Sequence, residues 1–365
     1  MDDVPEARTL SRSDLEAIVR SIEPTWTVRE ARPAERGFCS VYRVETANGE
    51  TVDGETTRTL YVKASPDGRP WAIPSEARLQ AVLATHTSIP VPEVVGVVDD
   101  HETLPTPAYL MHALPGEDVA YERVGRLDDD ALGRLARETG QYLAELHSVP
   151  AVDAFGHVRY DGPQLRGEQP DGDPATLTVG EPRAAWSTYF QERVDRALER
   201  HVDSGLSALT PDLARWFEAG VEALEGPFDP VLGRNDHGLH NLLIDPDTGE
   251  ITAVLDWGYT LAVPAAYDFE FAVYLYSGAF LAGVPDVPDR RSLVREEMRA
   301  GYRSVAPDRA EAVSTPRPLY AAMAMVRIMN DFHHLDVPED AEKTVREYIR
   351  ADVRTLLERS PADCI

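Results

Sequence analysis

The sequence predicts an α+β fold of two lobes, an antiparallel sheet lobe followed by a mainly helical lobe. Short runs with strand character fill the first third of the chain, with one helix from Glu76, whereas helical patterns dominate beyond Pro115-Gly116. A chain of 365 residues is also long enough for two lobes with a large core. We place the first lobe at residues 1–112 and the second at residues 113–365.

The first lobe contains five predicted strands: Thr27–Glu30, Val41–Thr46, Thr59–Ala64, Val94–Asp99 and Ala108–His112. In the third strand, Leu60 and Val62 alternate with Tyr61 and Lys63, which is typical of a half-buried strand. Lys63 is therefore expected on the face opposite the two apolar side chains.

Two helices and one irregular segment organise the second lobe. Four leucines mark a helix that begins near Asp128: Leu132, Leu135, Leu143 and Leu146. Residues 319–334 form another helix, rich in Ala and Met. Residues 160–182 are crowded with Gly, Pro and Asp, and are predicted to be an exposed loop without its own core.

The chain is strongly acidic, with 63 Asp and Glu against 36 Lys and Arg and a net charge of -27. Because the surplus is spread along the whole chain, it disfavours nucleic acid and anionic lipid as partners. Depletion of lysine in favour of arginine and acids suggests a halophilic protein in a high-salt cytoplasm. Local attraction of a cationic substrate is an alternative, but it does not explain the even spread.

The cysteines and the polar start of the chain indicate a cytoplasmic location. Cys39 and Cys364 lie far apart, which indicates a reducing compartment more than a disulfide. No signal peptide, lipidation motif or long apolar run is visible. We expect a soluble monomer or homodimer without a membrane partner.

Asp236, Asn241 and Asp256 form the most informative motif, because a magnesium-nucleotide site requires such short oxygen ligands. The residues before Asp256 predict a hairpin: strand Leu242–Ile244, turn Pro246–Gly249 and strand Ile251–Leu255. Folding this hairpin brings Asn241 and Asp256 together as Mg²⁺ ligands. Asp236 is then left to receive a proton.

Each of these residues also has a simpler interpretation, because an aspartate at a strand end is often only a turn or cap residue. A zinc site of Asp236, His237 and His240 is a remote alternative, since the loop spacing of the two histidines is weak evidence and no cysteine lies nearby. The spacing of the three oxygen-bearing residues favours magnesium.

Lys63 is one of only two lysines, with Lys343, in a chain rich in arginine. A compact ammonium pairs with phosphate as a point charge, whereas a guanidinium requires planar geometry. A leftover surface lysine is the ordinary alternative. We expect Lys63 to bind phosphate.

A helix opens thirteen residues later, with Ser75 as the expected N-cap and Glu76 in the first turn. Glu76, Leu79 and Leu83 fall on one helical face. A carboxylate on an apolar face needs a basic partner such as Lys63. A role for Glu76 at the helix dipole is the alternative.

A predicted turn between two strands, in RGFCSVYRVET, has Gly37 at its tip. Backbone amides in such a turn can lie over phosphates. Gly37 is therefore a candidate nucleotide-binding residue.

The order of these motif residues resembles that of the aminoglycoside phosphotransferase and choline kinase family: Lys63, Glu76, Asp236, Asn241 and Asp256. The likeness runs from about Arg32 to Asp268 and beyond. It implies a bilobal protein-kinase-like fold and an ATP- or GTP-dependent small-molecule kinase. Lys63, held by Glu76, would then bind the α and β phosphates.

The resemblance also extends to segments around the motif. AYLMHALPGEDV resembles the segment that joins the lobes, where backbone groups of Met111, His112 and Leu114 would meet the adenine. His147, after Leu146, resembles the histidine that ends a long helix. Asp268 resembles an acidic residue that supports the catalytic loop.

The sequence departs from the family at Arg234, where a histidine usually stands two residues before the catalytic aspartate. We expect Arg234 to replace it by donating hydrogen bonds to backbone carbonyls or to a carboxylate such as Asp268. Trp257-Gly258 after Asp256 is common in this group but not in protein kinases. No activation segment ending in A-P-E is visible, so a protein substrate is not expected.

The sequence thus predicts phosphoryl transfer to a small-molecule hydroxyl with Mg²⁺. The alternative is an inactive nucleotide-binding regulator, and the residue that raises this alternative is Arg234. An amino alcohol, an aminoglycoside-like sugar, a nucleoside or a ketosamine are all compatible acceptors. Five residues after position 268 are candidates for the acceptor pocket, with core packing as their ordinary alternative: Tyr274, Tyr276, Asn330, Asp331 and His334.

Overall fold

A computed structural model describes residues 9–34, 40–48, 57–65, 72–119, 127–201, 204–282, 284, 287–335, 337 and 339–364. These residues group into two compact units. The first comprises the described parts of residues 1–115, 158–178 and 253–259, and the second those of residues 116–157, 179–252 and 260–365. The sequence predicts a first lobe of residues 1–112. The first unit of the structure also includes residues 158–178 and 253–259.

A five-stranded antiparallel sheet forms the centre of the first unit: β1 (Trp26–Pro33), β2 (Ser40–Asn48), β3 (Thr57–Ala64), β4 (Val94–Val98) and β5 (Ala108–His112). The strand order is β1-β2-β3-β5-β4, and all five predicted strands are confirmed. Lys63 lies opposite Val41 and Tyr109 in the register. The central strand of the sheet therefore carries the candidate phosphate-binding lysine.

Two helices pack with this sheet, α1 (Arg12–Ile22) and α2 (Ala72–His86). Ser11 and Asp14 form a capping box at the start of α1. The helix expected near Glu76 is confirmed, but the N-cap role of Ser75 is wrong because α2 already includes Ala72. Proline is tolerated in the first turn of a helix, so Pro74 does not mark its start.

The second unit is mainly helical, with seven α-helices among its described residues: α3 (Asp129–Leu146), α4 (Trp186–His201), α5 (Thr210–Glu222), α6 (Ala265–Tyr276), α7 (Arg291–Val305), α8 (Pro318–Asn330) and α9 (Glu342–Leu357). Helix α3 begins next to Asp128, as the sequence predicts, and the Asp128 side chain caps it. Aromatic and aliphatic side chains of α4, α5, α6, α8 and α9 share one large core.

Short strands connect these helices: β6 (Glu117–Asp118), β7 (Phe155–Tyr160), β8 (Leu177–Arg183), β9 (Val231–Gly233), β10 (Leu242–Ile244), β11 (Ile251–Val254) and β12 (Leu261–Val263). They form two small sheets, with the orders β11-β10-β6 and β8-β7-β12-β9. β10 and β11 confirm the predicted hairpin. β9 and β10 bracket the segment that contains Asp236 and Asn241.

Helices α3 and α7 approach each other closely at two glycines. A Cβ atom at Gly140 would lie 2.0 Å from the Met298 carbonyl oxygen, and one at Gly301 would lie 1.9 Å from that of Arg137. Only glycine fits these positions without moving the neighbouring backbone. Among the residues that the structure describes, no helix is long and apolar enough to span a membrane.

Residues 160–182 are not the coreless loop that their composition predicts. Their middle part packs on β4: the Val97 amide donates to the Glu168 carbonyl at 3.1 Å, and the Gly167 amide to the Val97 carbonyl at 2.8 Å. A Cβ atom at Gly96 would lie 2.3 Å from the Gly167 carbonyl oxygen. Glycine here permits close backbone contact, a use that composition alone does not distinguish from a turn.

A buried ion pair fixes the same segment to α2. Two guanidinium nitrogens of Arg78 lie 2.8 and 2.5 Å from the carboxylate oxygens of Asp99. Asp99 also accepts the amide of Leu165 at 2.7 Å, and Arg78 lies 4.0 Å above the ring of Tyr160. One carboxylate thus joins α2, the end of β4 and the segment after β7.

We expect Asp99→Asn to lower the free energy of unfolding by about 3 kcal/mol, because loss of one partner leaves the Arg78 charge buried and uncompensated. Urea denaturation measures this change. Arg215→Gln, which breaks an exposed ion pair with Asp212, is the control and should cost less than about 0.5 kcal/mol. Equal effects of the two substitutions would contradict a stabilising role for the Arg78–Asp99 pair.

Candidate active site

Lys63 and Glu76 form a buried ion pair in the first unit. The Lys63 Nζ lies 2.9 Å from Glu76 Oε1 and 2.8 Å from Oε2. Burial raises the pKa of the Glu76 carboxyl, and the nearby ammonium opposes this shift. The structure confirms the basic partner predicted for Glu76.

Asp256 extends this pair into a cluster of three charges. Its Oδ1 lies 3.2 Å from Lys63 Nζ, while the amide of Trp257 donates to Glu76 Oε1 at 3.3 Å. Asp256 adopts a left-handed backbone with φ 60°, which is uncommon outside glycine and typical of functional sites. A Cβ atom at Gly258 would lie 3.3 Å from Glu76 Oε2. The Trp-Gly pair after Asp256 thus lets this segment lie against Glu76.

The residues proposed to meet adenine lie at the end of β5. The His112 amide donates to the Glu93 carbonyl at 2.9 Å, and the Ala113 amide to the Thr59 carbonyl at 3.2 Å. Both amides are thus engaged within the unit. That backbone groups of Met111, His112 and Leu114 meet the adenine stays a prediction. Gly37 lies outside the described residues.

The loop that carries Asp236 and Asn241 is fixed by the buried side chain of Asp268 on α6. Asp268 accepts the amide of Arg234 at 3.2 Å and that of Asn235 at 3.0 Å. Asn235 has a left-handed backbone, with φ 63°. Asp268 therefore supports the loop, as the resemblance implies.

Two histidines complete the surroundings of Asp268. Nε2 of His237 lies 2.8 Å from Oδ1, and Nε2 of His147 lies 3.2 Å from Oδ2, while the other ring nitrogen of His147 lies 3.1 Å from the Tyr302 hydroxyl. Burial alone would raise the pKa of Asp268, but the histidines outweigh it and hold the pKa well below its ordinary value. Asp268 therefore supports the loop as an ionised carboxylate.

His237 supplies an imidazole in the loop that carries Asp236, although the sequence has Arg234 at the expected histidine position. The Arg234 guanidinium donates to the Asn241 carbonyl at 3.5 Å and hydrogen-bonds the Tyr276 hydroxyl. Its bond to a backbone carbonyl is as predicted. The hydrogen bond between His237 and Asp268 gives His237 a role other than zinc binding. Within the described ranges, no group of three His, Cys, Asp or Glu side chains could hold a metal ion.

Asp236 forms an ion pair with Arg327 of α8. One guanidinium nitrogen of Arg327 lies 3.0 Å from Asp236 Oδ1, and another donates to the Asn235 carbonyl at 2.7 Å. Burial raises the pKa of Asp236, but Arg327 and, to a smaller extent, His240 and Arg234 lower it to about 2. Asp236 is thus a weak base, paired with a cation on α8.

Asn241 closes the loop at the start of β10. It is 7% exposed, and its amide nitrogen has no hydrogen-bond partner among the described residues. An unpaired buried amide costs about 1–3 kcal/mol, so such a group suits ligand binding. Rotation of the amide by half a turn would present its oxygen instead.

The five candidate acceptor residues differ in their surroundings. Tyr274 and Tyr276 are buried, and the Asn330 side chain donates to the Ala197 carbonyl at 2.8 Å, so these three serve packing. Asp331 pairs with Arg200 at 2.7 Å and with Arg327 at 3.6 Å. The side chain of His334 lies outside the described residues. Asp331 thus shares its ion-pair partner Arg327 with Asp236.

Solved structures of aminoglycoside phosphotransferases share this fold. A ternary complex of a thermostable mutant of APH(4)-Ia with AMP-PNP and hygromycin B has a TM-score of 0.56 at 15% identity, over 94% of this chain and 98% of that chain. A putative aminoglycoside phosphotransferase from Ralstonia eutropha JMP134 has a TM-score of 0.57 at 16% identity, over 95% and 98%. The complex of gentamicin with APH(2")-IIa has a TM-score of 0.53 at 17% identity, over 98% and 99%. The predicted α+β fold, with an antiparallel N-terminal sheet and a helical remainder, is confirmed as the kinase-like fold of these enzymes.

The sequence comparison agrees with the fold. The profile described as "Phosphotransferase enzyme family" (APH) matches residues 30–313. The protein therefore belongs to the APH phosphotransferase family, as its motif residues predict.

Two curated proteins are also similar over about half of the chain. A probable acyl-CoA dehydrogenase, IBR3, from Arabidopsis thaliana is 22% identical over 57% of this chain, and acyl-CoA dehydrogenase family member 10 from Mus musculus is 26% identical over 55%. The matched regions cover 24% and 17% of those proteins, respectively. The named dehydrogenase activity of the whole relatives is therefore not carried over to this chain.

The sequence did not identify the arginines that contact the loop of Asp236. Arg327 is the only charged residue in α8, and an isolated charge on an apolar helix indicates a buried partner. Arg193 of α4 donates to Asn235 Oδ1 at 3.1 Å, but it lies in a highly charged helix where it does not stand out. Only the fold brings both residues to the loop.

We expect Arg327→Gln to raise the pKa of Asp236. Burial raises this pKa, and the substitution removes the guanidinium that lowers it most. A carboxylate whose pKa is lowered in the folded state stabilises the fold at pH values above its ordinary pKa of 3.8. This stabilisation is lost as the pH falls through about 2. In the variant the loss should begin at higher pH. The titration of Asp236, followed by NMR of labelled aspartate carboxyls, measures the shift, and an unchanged midpoint relative to the Arg215→Gln control would contradict the role of Arg327.

Proposed function

We propose that this protein transfers the γ-phosphoryl group of ATP or GTP to a hydroxyl group of a small molecule. The observation that carries the proposal is the buried Lys63–Glu76 pair beside Asp256, because a lysine held between two carboxylates is placed to bind phosphate oxygens. Membership of the APH phosphotransferase family supports the same reaction.

Asp236 would orient the acceptor hydroxyl, whose oxygen attacks the γ-phosphorus while the bond to the bridging oxygen of the nucleotide breaks. The hydroxyl proton passes to Asp236. A carboxylate with a pKa of about 2 is a poor base. A loose transition state needs little activation of the nucleophile, so the main contribution of Asp236 is orientation.

The chemistry of Asn241 and Asp256 fits Mg²⁺. The Asn241 amide has an unpaired buried end, and the side chain of Asp256 is 40% exposed, so its carboxylate remains accessible beside Lys63. These two residues would hold the ion, and when bound the ion would neutralise phosphate charge. Lys63 would bind the α and β phosphates and keep them oriented.

Family relatives in solved complexes support a nucleotide donor, since they contain AMP-PNP, ADP or GDP. The choice between ATP and GTP stays open in this proposal. An inactive regulator is the second candidate on sequence grounds. The contacts of Arg234 with the Asn241 carbonyl at 3.5 Å and with Tyr276 support a structural role for Arg234, which favours the enzyme over the regulator.

The acidic surface is proposed to serve a halophilic, cytoplasmic enzyme. At 1 M salt the Debye length is about 3 Å, so the repulsion among surface carboxylates is screened. Assays should therefore include molar KCl as well as dilute buffer.

We expect Asp236→Asn to abolish phosphoryl transfer and to leave nucleotide affinity nearly intact, because Asp236 faces the acceptor. Asp256→Asn should weaken Mg-nucleotide binding too, since it removes a charged ligand. Nucleotide titration of both variants, with transfer measured on a panel of hydroxylated metabolites, separates the two roles. Equal nucleotide affinities of the two variants would contradict this division, and lack of transfer by the wild type at every salt concentration would favour the regulator.

Lys63→Arg should lose most of the activity although it keeps the charge. A guanidinium is wider than an ammonium, and it would misplace the phosphates and disturb Glu76. Lys343→Arg is the matched control, because Lys343 is an exposed lysine in α9. Wild-type turnover in Lys63→Arg would show that Lys63 has no role in catalysis.

A further inference from the structure

Two arginines from different helices hold Asn235, the residue before Asp236. Arg193 of α4 donates to the Asn235 side-chain oxygen at 3.1 Å, and Arg327 of α8 donates to its carbonyl oxygen at 2.7 Å. Both guanidinium groups therefore lie within hydrogen-bonding distance of the catalytic loop.

Arg193 differs from its neighbours in having no carboxylate within 4.0 Å among the described residues. Its hydrogen bonds go to neutral oxygen atoms, at Asn235 and at the Tyr267 hydroxyl 3.2 Å away. By contrast, Arg196, one turn further along α4, pairs with Glu192. A guanidinium that donates to neutral oxygen atoms keeps its charge for pairing with an anion.

Aromatic rings fix the position of this guanidinium. The Cζ atom of Arg193 lies 5.8 Å from the ring centre of Tyr189 and 5.7 Å from that of Tyr267, and both rings are buried. Preorganised cations lose little conformational entropy when they bind an anion. Arg193 is therefore a fixed cationic group at the catalytic loop.

Three arginines bind the loop around Asp236, although the whole chain carries a net charge of -27. Arg327 pairs with Asp236 and binds the Asn235 carbonyl, Arg193 binds the Asn235 side chain, and Arg234 binds the Asn241 carbonyl. Guanidinium groups at this loop favour an anionic group and disfavour a polyamine.

We propose that the acceptor hydroxyl compound carries a carboxylate or phosphate group, and that Arg193 binds this group beside Asp236. This inference rests on the proposed function. It separates the substrate from aminoglycosides, whose amino groups are cationic and would meet like charge at this loop. Arg327 keeps its role in positioning Asp236, and Arg193 determines acceptor specificity.

Four related probes test the charge of the acceptor: glycerate, glycerol phosphate, glycerol and 1,3-diaminopropan-2-ol. They present hydroxyl groups on three-carbon chains but differ in charge, and the two anions distinguish a carboxylate from a phosphate. Each is titrated calorimetrically, at one fixed KCl concentration, into the protein saturated with AMP-PNP and Mg²⁺. Binding is thereby measured without turnover, and saturation with AMP-PNP independently checks the nucleotide site.

We expect at least one anionic probe to bind more tightly than glycerol and the diamine. Arg193→Gln should weaken the anion by about tenfold or more, Arg193→Lys should restore part of the affinity, and Arg196→Gln should have no effect. AMP-PNP affinity should stay unchanged in all three variants, which also shows that they are folded. Anion binding that weakens to the same extent in Arg196→Gln would indicate a general charge effect and overturn the proposal.

The proposal is also overturned if neither anion binds, if glycerol or the diamine binds as tightly, or if Arg193→Gln leaves anion affinity unchanged. Failure of the proposed function has a different signature. In that case no hydroxyl compound is phosphorylated in the metabolite panel, whatever the outcome of the anion titrations. Transfer that occurs only to neutral or cationic acceptors would support the kinase and reject the anionic acceptor.

Discussion

The buried carboxylate of Asp268 is the constraint on which the second half of the candidate site depends. It accepts two main-chain amides of the catalytic loop and contacts two histidines, and its exposure is 0%. An ionised carboxylate in the protein interior is stable only when such donors surround it. Because these donors include Arg234 and Asn235, the position of Asp236 follows from Asp268. The left-handed backbone of Asn235 is held by the same contacts.

The other carboxylates of the candidate site are also paired with cations, and each pair has a different consequence. Glu76 is buried with Lys63, so the lysine is held in place while Asp256 remains accessible. Asp236 is paired with Arg327, which lowers its pKa and leaves it better suited to orientation than to strong base catalysis. Arg193 donates to neutral oxygen atoms of Asn235 and Tyr267, and these contacts beside Asp236 are the basis for the proposed anionic acceptor.

Local patterns predicted much of this arrangement. Alternation in β3 placed Lys63 opposite the apolar side chains, and the apolar face of α2 required a cation for Glu76. The turn at residues 246–249 predicted the hairpin of β10 and β11. These predictions succeed because strand and helix periodicity are properties of neighbouring residues. The N-cap at Ser75 was wrong because proline also fits within a first helical turn, and residues 160–182 were misjudged because glycine serves close packing as well as turns.

The sequence by itself determined the class of fold, the identity of the motif residues, and the pairing of Lys63 with Glu76, because these depend on periodicity, spacing and the cost of an unpaired charge. The tertiary structure alone decided that His237 contacts Asp268, that Arg327 lowers the pKa of Asp236, and that Arg193 reaches Asn235. The His237 and Arg193 contacts join residues 31 and 42 positions apart, respectively. Such partners are chosen by the packing of α4, α6 and α8 around the catalytic loop, and a single sequence contains no periodic pattern that encodes the distance between helices.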